Sequence, residues 1–195
     1  AGDSYLRFYK DGAILGGPYE VSTPYTSATI FDVDYTHGED TMFMFAEAVA
    51  PYKLVRVADT SWTLGAASFV NTPFEEPGSY PAATLTPSAA TPTGGAITLT
   101  AGAAVFAAGD VGSSVKINGG IAKITGFTST TIVTGIIKQE LTSTTAAPAD
   151  AWSLHAPAWS VSRGYPRSGT LYEQRLVAGG SPTFPQTIWG SVTGA

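Results

Sequence analysis

Glycine and proline punctuate this chain so often, 22 and 13 times in 195 residues, that its apolar and β-branched residues fall into short runs between turn signals. Such runs read as strands joined by tight turns. Charged residues make up only 13% of the chain, so surface helices laced with i,i+4 ion pairs have little to be built from. Ser, Thr and Ala fill most of the remainder, and the apolar fraction of 44% is ordinary for a globular protein.

The same composition excludes several functions. A net charge of −5 and a pI near 4.8 oppose any grip on nucleic acid that works by neutralising phosphates. Without cysteine, disulfides, thiolate catalysis and Cys-based zinc sites are all ruled out. The residues show no charged n-region ahead of an apolar core and no apolar run of about eighteen, so neither a signal peptide nor a membrane-spanning helix is expected.

Along the chain, Tyr5 to Tyr9, the Asp11-Gly12 turn and Ala13 to Gly17 predict a hairpin. Thr29 to Tyr35 reads as extended, Thr41 to Ala46 as a buried strand, and Tyr52 to Val57 and Ser61 to Val70 as further strands. Composition then shifts: Ser79 to Gly95 is uncharged and Pro-rich, as a connector would be. Close-set short strands follow at 96–100, 103–106, 114–118, 121–127 and 131–138, with a turn or short helix at Ala108 to Gly112. A second uncharged stretch, Thr142 to Ala149, ends that segment. The expected fold is all-β, with a discontinuous β-rich outer domain (1–80 and 151–195) and a small inserted β-barrel or sandwich module (81–150). Trp62-Thr63-Leu64 with Phe69 echoes Trp152-Ser153-Leu154 with Trp159 at the same interval. Either β structure resumes in one sheet after the insertion, or the echo is chance. The last thirty or so residues read as a hairpin of Thr170 to Ala178 and Gln186 to Val192, joined through Gly179-Gly180-Ser181-Pro182.

Chemistry is sparse. Asp32, Asp34, His37, Glu39 and Asp40 crowd into nine residues and invite a metal. However, Gly38 is seventh from Asp32 and Phe43 stands where a calcium loop needs its twelfth-position Glu. Asp32, Asp34 and His37 remain the nominal metal candidates, against a solvated strand end with Asp32, Asp34 and Thr36 on one face. His155 reads as a turn histidine. Glycoside hydrolysis requires only two carboxylates, for which Asp34, Glu39, Glu75, Glu76 and Glu173 are nominal candidates. No nucleophile elbow, phosphate loop or zinc-protease motif occurs, so no catalytic residue, enzyme activity or cofactor is expected. Arg163, Arg167 and Arg175 with Glu173 are either turn ion pairs or an intersubunit contact. The aromatics read mainly as core and loop packing, with a sugar-stacking face as the alternative.

Several stretches taken in order carry a resemblance. They are Leu6-Arg7-Phe8-Tyr9-Lys10-Asp11-Gly12, Pro18 to Tyr25, Lys53-Leu54-Val55-Arg56, Ile97-Thr98-Leu99-Thr100 with Phe106, and Asp110-Val111-Gly112. Gly164-Tyr165-Pro166, Glu173-Gln174-Arg175-Leu176-Val177 and Pro185-Gln186-Thr187-Ile188-Trp189-Gly190-Ser191 complete the series. Together they resemble the tail nozzle (tail tubular, or stabilisation) proteins of short-tailed bacteriophages. The resemblance implies a structural virion component, assembled in the host cytoplasm. Copies of it would form a ring, hexameric in such relatives, below the portal and adaptor proteins, and DNA would pass through without specific binding. Those proteins are several times longer, so the chain is expected to be a fragment or domain of one. The alternative function is a carbohydrate-binding β module of a virion or secreted protein.

Overall fold

Residues 2–14, 19–76, 78–92 and 94–193 are described by a computed structural model. They hold seventeen strands and two one-turn 3-10 helices, and the all-β expectation is met. Leu15 to Gly17 of the expected first hairpin, the Pro77 break and Thr93 of the expected connector lie outside the described residues.

The chain divides into two compact units, Ala1–Phe69 with Trp159–Ala195, and Val70–Ala158. The expected junctions at 80/81 and 150/151 fall inside the second unit because main-chain pairing extends past them on both sides. Ser79 and Leu154 exchange N–H···O bonds of 2.9 Å, Glu75 N–H donates to Ala156 O at 2.8 Å, and Ala158 N–H donates to Pro73 O at 2.9 Å.

In the first unit, β1 (Tyr5–Arg7), β2 (Tyr9–Lys10), β3 (Ala13–Ile14) and β4 (Glu20–Ser22) form two antiparallel ribbons, β1 with β4 and β2 with β3. Asp11 and Gly12 both take positive φ, 51° and 78°, the backbone of a two-residue hairpin turn that Asp-Gly favours. The extended run expected from Thr29 is interrupted by a 3-10 turn at Ile30–Asp32. A meander follows: β5 (Asp34–Gly38), β6 (Thr41–Ala46), β7 (Val49–Ala58) and β8 (Ser61–Ala66). Pro51 lies inside β7, where the β6–β7 register shifts between Met44 and Ala46, one of the few places a sheet accepts proline. Tyr25, Met44 and Ala46 bury together with Leu6, Val33, Tyr52 and Leu64 against them. Burial raises the Tyr25 phenol pKa well above its ordinary value, and neighbouring Tyr52 adds to the shift.

The second unit is one antiparallel sheet made of β9 (Leu85–Pro87), β10 (Ile97–Ala101), β11 (Ser114–Ile117), β12 (Gly120–Ser129), β13 (Ile132–Gln139) and β14 (Ser153–His155). Its order is β14-β11-β12-β13-β10-β9. Alternate residues face one core: Val115 and Ile117, Ala122 and Ile124, Val133 and Ile137, Ile97 and Leu99, together with Leu85. The expected connector therefore contributes a strand, β9, whose Leu85 is fully buried. Chain length forces the sheet to curl. Ser79 pairs outside β14 while Leu85 belongs to β9 at the opposite edge. Six residues of extended chain span about 20 Å, against about 29 Å for the same six inter-strand steps laid flat. A second segment returns from Ala147, paired with Leu85, to Leu154. The two spanning segments are tied together: Trp152 Nε1 donates to Ala83 O at 2.7 Å and Asp150 N–H to Pro81 O at 3.2 Å. The module is thus a curled sheet sealed along its open side by irregular chain. Because β14 pairs with β11 and Trp62 lies in β8, the Trp62/Trp152 echo does not mark a return to one sheet.

The last three strands are β15 (Ser168–Tyr172), β16 (Arg175–Gly179) and β17 (Ile188–Gly190), an antiparallel sheet in that order within the first unit. Thr170 to Ala178 is therefore two strands rather than the single one expected. Glu173 and Gln174 form the turn between them at φ 47° and 60°. Non-glycine residues seldom adopt that conformation, and the turn leaves no signal in the sequence.

Candidate functional site

The β15–β17 sheet has two unlike faces. Registration places Gly169 opposite Ala178 and Ala178 opposite Trp189, with Leu171 opposite Leu176. These form the inward face, on which Leu176 and Ala178 are buried. A Cβ on Gly169 would lie 2.3 Å from the ring of Phe45, so only glycine lets β15 lie against β6. Trp189 is held edge-on by Trp159 at 5.3 Å and by Phe184 at 6.3 Å, and Trp159 meets Phe69 at 5.6 Å. Side chains of β5 cover the free edge of β15: Asp34 Oδ2 accepts from Gly169 N–H at 3.2 Å and Thr36 Oγ1 from Leu171 N–H at 3.3 Å.

Among the described residues, the opposite edge is uncovered. Ser191 N–H donates to Leu176 O at 2.8 Å, and bonding residues alternate along an antiparallel strand. Trp189 therefore turns its main-chain groups toward β16, while Ile188 and Gly190 turn theirs outward. The outward N–H groups have no partner among the described residues. On the outer face, Thr170, Val177 and Ile188 line a shallow groove of about 340 Å³. Tyr172, Ile188 and Val192 are 63%, 74% and 74% exposed.

The residues singled out from sequence are largely engaged within the chain. Arg167 pairs with Glu47, Arg175 Nη1 donates to Ser191 O at 3.1 Å, and Glu173 sits exposed on the hairpin turn. Arg163 anchors a loop through its main chain: its N–H donates to Ser160 Oγ at 3.2 Å and its carbonyl accepts from Thr183 Oγ1 at 2.7 Å. Asp32 lies in the 3-10 turn, Asp34 on the face of β5 toward β15, and His37 on the other face, beside Asp40, Met42, Arg56 and Trp62. Asp34 is thus an exposed strand end, as read from the sequence, that also accepts from the backbone of β15. Among the described residues, no group of three or more His, Asp or Glu side chains is placed to hold a metal. Glu75 and Glu76 belong to the second unit, whereas Asp34, Glu39 and Glu173 belong to the first. Glu76 pairs with Lys116, whose hydrogen bond holds the carboxyl below its usual range.

His155 corrects the sequence reading. It is a core residue of β14, 2% exposed, not a turn residue. Its Nδ1 lies 2.8 Å from the Glu75 carbonyl and its Nε2 2.7 Å from Ser153 Oγ. A carbonyl only accepts, so Nδ1 carries a proton and donates it to Glu75 O, while Nε2 is paired with the Ser153 hydroxyl. Phe74 covers the ring at 5.1 Å. Both nitrogens are satisfied, and the imidazole ties the 73–76 segment to the sheet. The i,i+2 spacing of Ser153 and His155 on one strand face is the available signal, but using it requires knowing that the face is internal.

No protein-family model matches the chain, and no curated protein matches it significantly. Among the described residues, no helix is long and apolar enough to cross a membrane.

Proposed function

We propose that this chain is a structural assembly protein, a component of the tail nozzle of a short-tailed bacteriophage lying below the portal and adaptor. The observation that carries an assembly role is the uncovered edge of β17, with apolar Ile188 and Val192 exposed beside it. An edge strand with free N–H and C=O groups is a template for pairing with another chain, and exposed apolar side chains beside it supply buried area once it is paired. The nozzle assignment rests on the sequence resemblance. Its ring of copies would present an acidic protein to exiting DNA, and repulsion between like charges favours passage over retention. The role needs no turnover and no cofactor.

The test is imaging by negative stain of the chain mixed with the portal and adaptor proteins encoded beside it. Rings or attached densities are expected. Persistent monomers, or neighbouring reading frames that encode no head or tail proteins, would overturn the assignment.

A further inference from the structure

We propose that the second unit carries a binding groove for a neutral, hydroxyl-rich saccharide. An open groove of about 460 Å³ lies where the β11–β12 turn faces the segment leading into β14, within the range of about 300–1,000 Å³ typical of small-ligand sites. Its functional lining is Phe74, Tyr80, Lys116, Asn118, Gln139 and Asp150.

The groove is preformed. Trp152, 1% exposed, forms part of the wall and is fixed by its bond to Ala83 O. Lys116 is paired with Glu76 and sits 4.9 Å above the Phe74 ring. The Asn118 amide nitrogen donates to Ser143 O at 3.0 Å and Thr145 O at 2.8 Å. That commits its donors and orients Oδ1 as the remaining function. Gln139 Nε2 approaches Gly119 O at 3.4 Å, which engages one of its two N–H donors and leaves the other together with Oε1.

The unspent polar groups include three acceptor side chains, beside which the second Gln139 N–H and the Tyr80 hydroxyl remain as donors. Asn118 Oδ1, Gln139 Oε1 and the Asp150 carboxylate have no hydrogen-bond partner among the described residues. A ligand that completes them carries several donors and can accept as well, as hydroxyl groups do. Tyr80, 60% exposed, adds a broad ring that would lose little freedom on covering an apolar face. A pyranose offers both features at once: equatorial hydroxyl donors around its edge and a C–H face for the aromatic ring. Charge selects further. Lys116 is neutralised by Glu76, so Asp150 leaves the groove locally negative and unfavourable to acidic sugars. An open groove also suits a saccharide, whose outer hydroxyls stay hydrated.

This site is independent of the assembly surface and can fail without affecting it. Its test is titration of the full chain with maltotriose, cellotriose and triacetylchitotriose, followed by calorimetry and saturation-transfer NMR. At least one should bind with Kd of about 1 mM or tighter. Tyr80→Ala should weaken it about tenfold or more and Asp150→Asn about threefold or more, with melting temperature unchanged. Tyr9→Ala, at an exposed tyrosine of the first unit, should have no effect. Absence of binding by all three sugars at that level, or affinity retained in both groove variants, overturns the proposal.

Discussion

Replacing Trp152 with phenylalanine tests how the curled sheet is sealed. The indole is 1% exposed, lies 6.0 Å from the Phe106 ring, and spans the seam through its 2.7 Å bond to Ala83 O. Phenylalanine keeps an aromatic ring but removes the N–H. The lost bond and the unsatisfied carbonyl together cost about 1–3 kcal/mol, and the void left by the smaller ring adds about 1 kcal/mol. The expected loss is about 2–4 kcal/mol. For a unit of this size each kcal/mol lowers the midpoint by about 4–8 °C, so the transition of the second unit should fall by about 10–30 °C in differential scanning calorimetry. The first unit's transition should stay in place if the two melt separately. A Trp152→Phe protein melting within about 2 °C of the parent would mean that the seam is held by something other than the indole.

Gly169→Ala should destabilise the first unit by about 1–3 kcal/mol through overpacking against Phe45, and urea unfolding should show the cost shrinking when Phe45→Ala is made as well. Lys123 is partly buried, and desolvation lowers its pKa from 10.5, with nearby Lys138 contributing. The unfolded chain then binds more protons between the lowered value and 10.5, so this group's contribution to stability rises with pH across that window. Lys123→Met should flatten that dependence and leave the protein as stable or up to about 1 kcal/mol more stable at neutral pH, as measured by urea melts from neutral to alkaline pH. An unchanged pH slope would mean that burial does not lower the Lys123 pKa.

Elements whose local signals agree with their surroundings are legible in the sequence. Asp11-Gly12 announces its turn by chemistry, β6 shows as a short continuous apolar run, and the meander of β11 to β13 shows by alternation, Ile117, Ala122, Ile124, Val133 and Ile137 falling on one buried face. What stays hidden is set by tertiary context. The Glu173-Gln174 turn has no glycine or asparagine to mark its positive φ. Its geometry follows from the pairing of β15 with β16, which packing against Phe45 supports. β9 lies in a Pro-rich stretch because an edge strand tolerates Pro87 where a central one would not. His155 reads as a loop residue beside Pro157, but its polarity is absorbed by Glu75, eighty residues away, a pairing no local window contains. Asp34 is legible as a strand residue. Its partner, the Gly169 N–H, is not, because the contact spans 135 residues.

Sedimentation equilibrium of the chain alone and of an Ile188→Lys variant tests the proposed assembly through the β17 edge. Ile188 is 74% exposed, so the substitution leaves the fold intact while placing a charge beside the open edge. The parent should show a weight-average mass that climbs from 20.1 kDa with concentration, and the variant should remain at 20.1 kDa over the same range. A parent that stays monomeric up to about 1 mM, a limit corresponding to less than about 4 kcal/mol of association, or a variant that associates as well as the parent, would contradict the account.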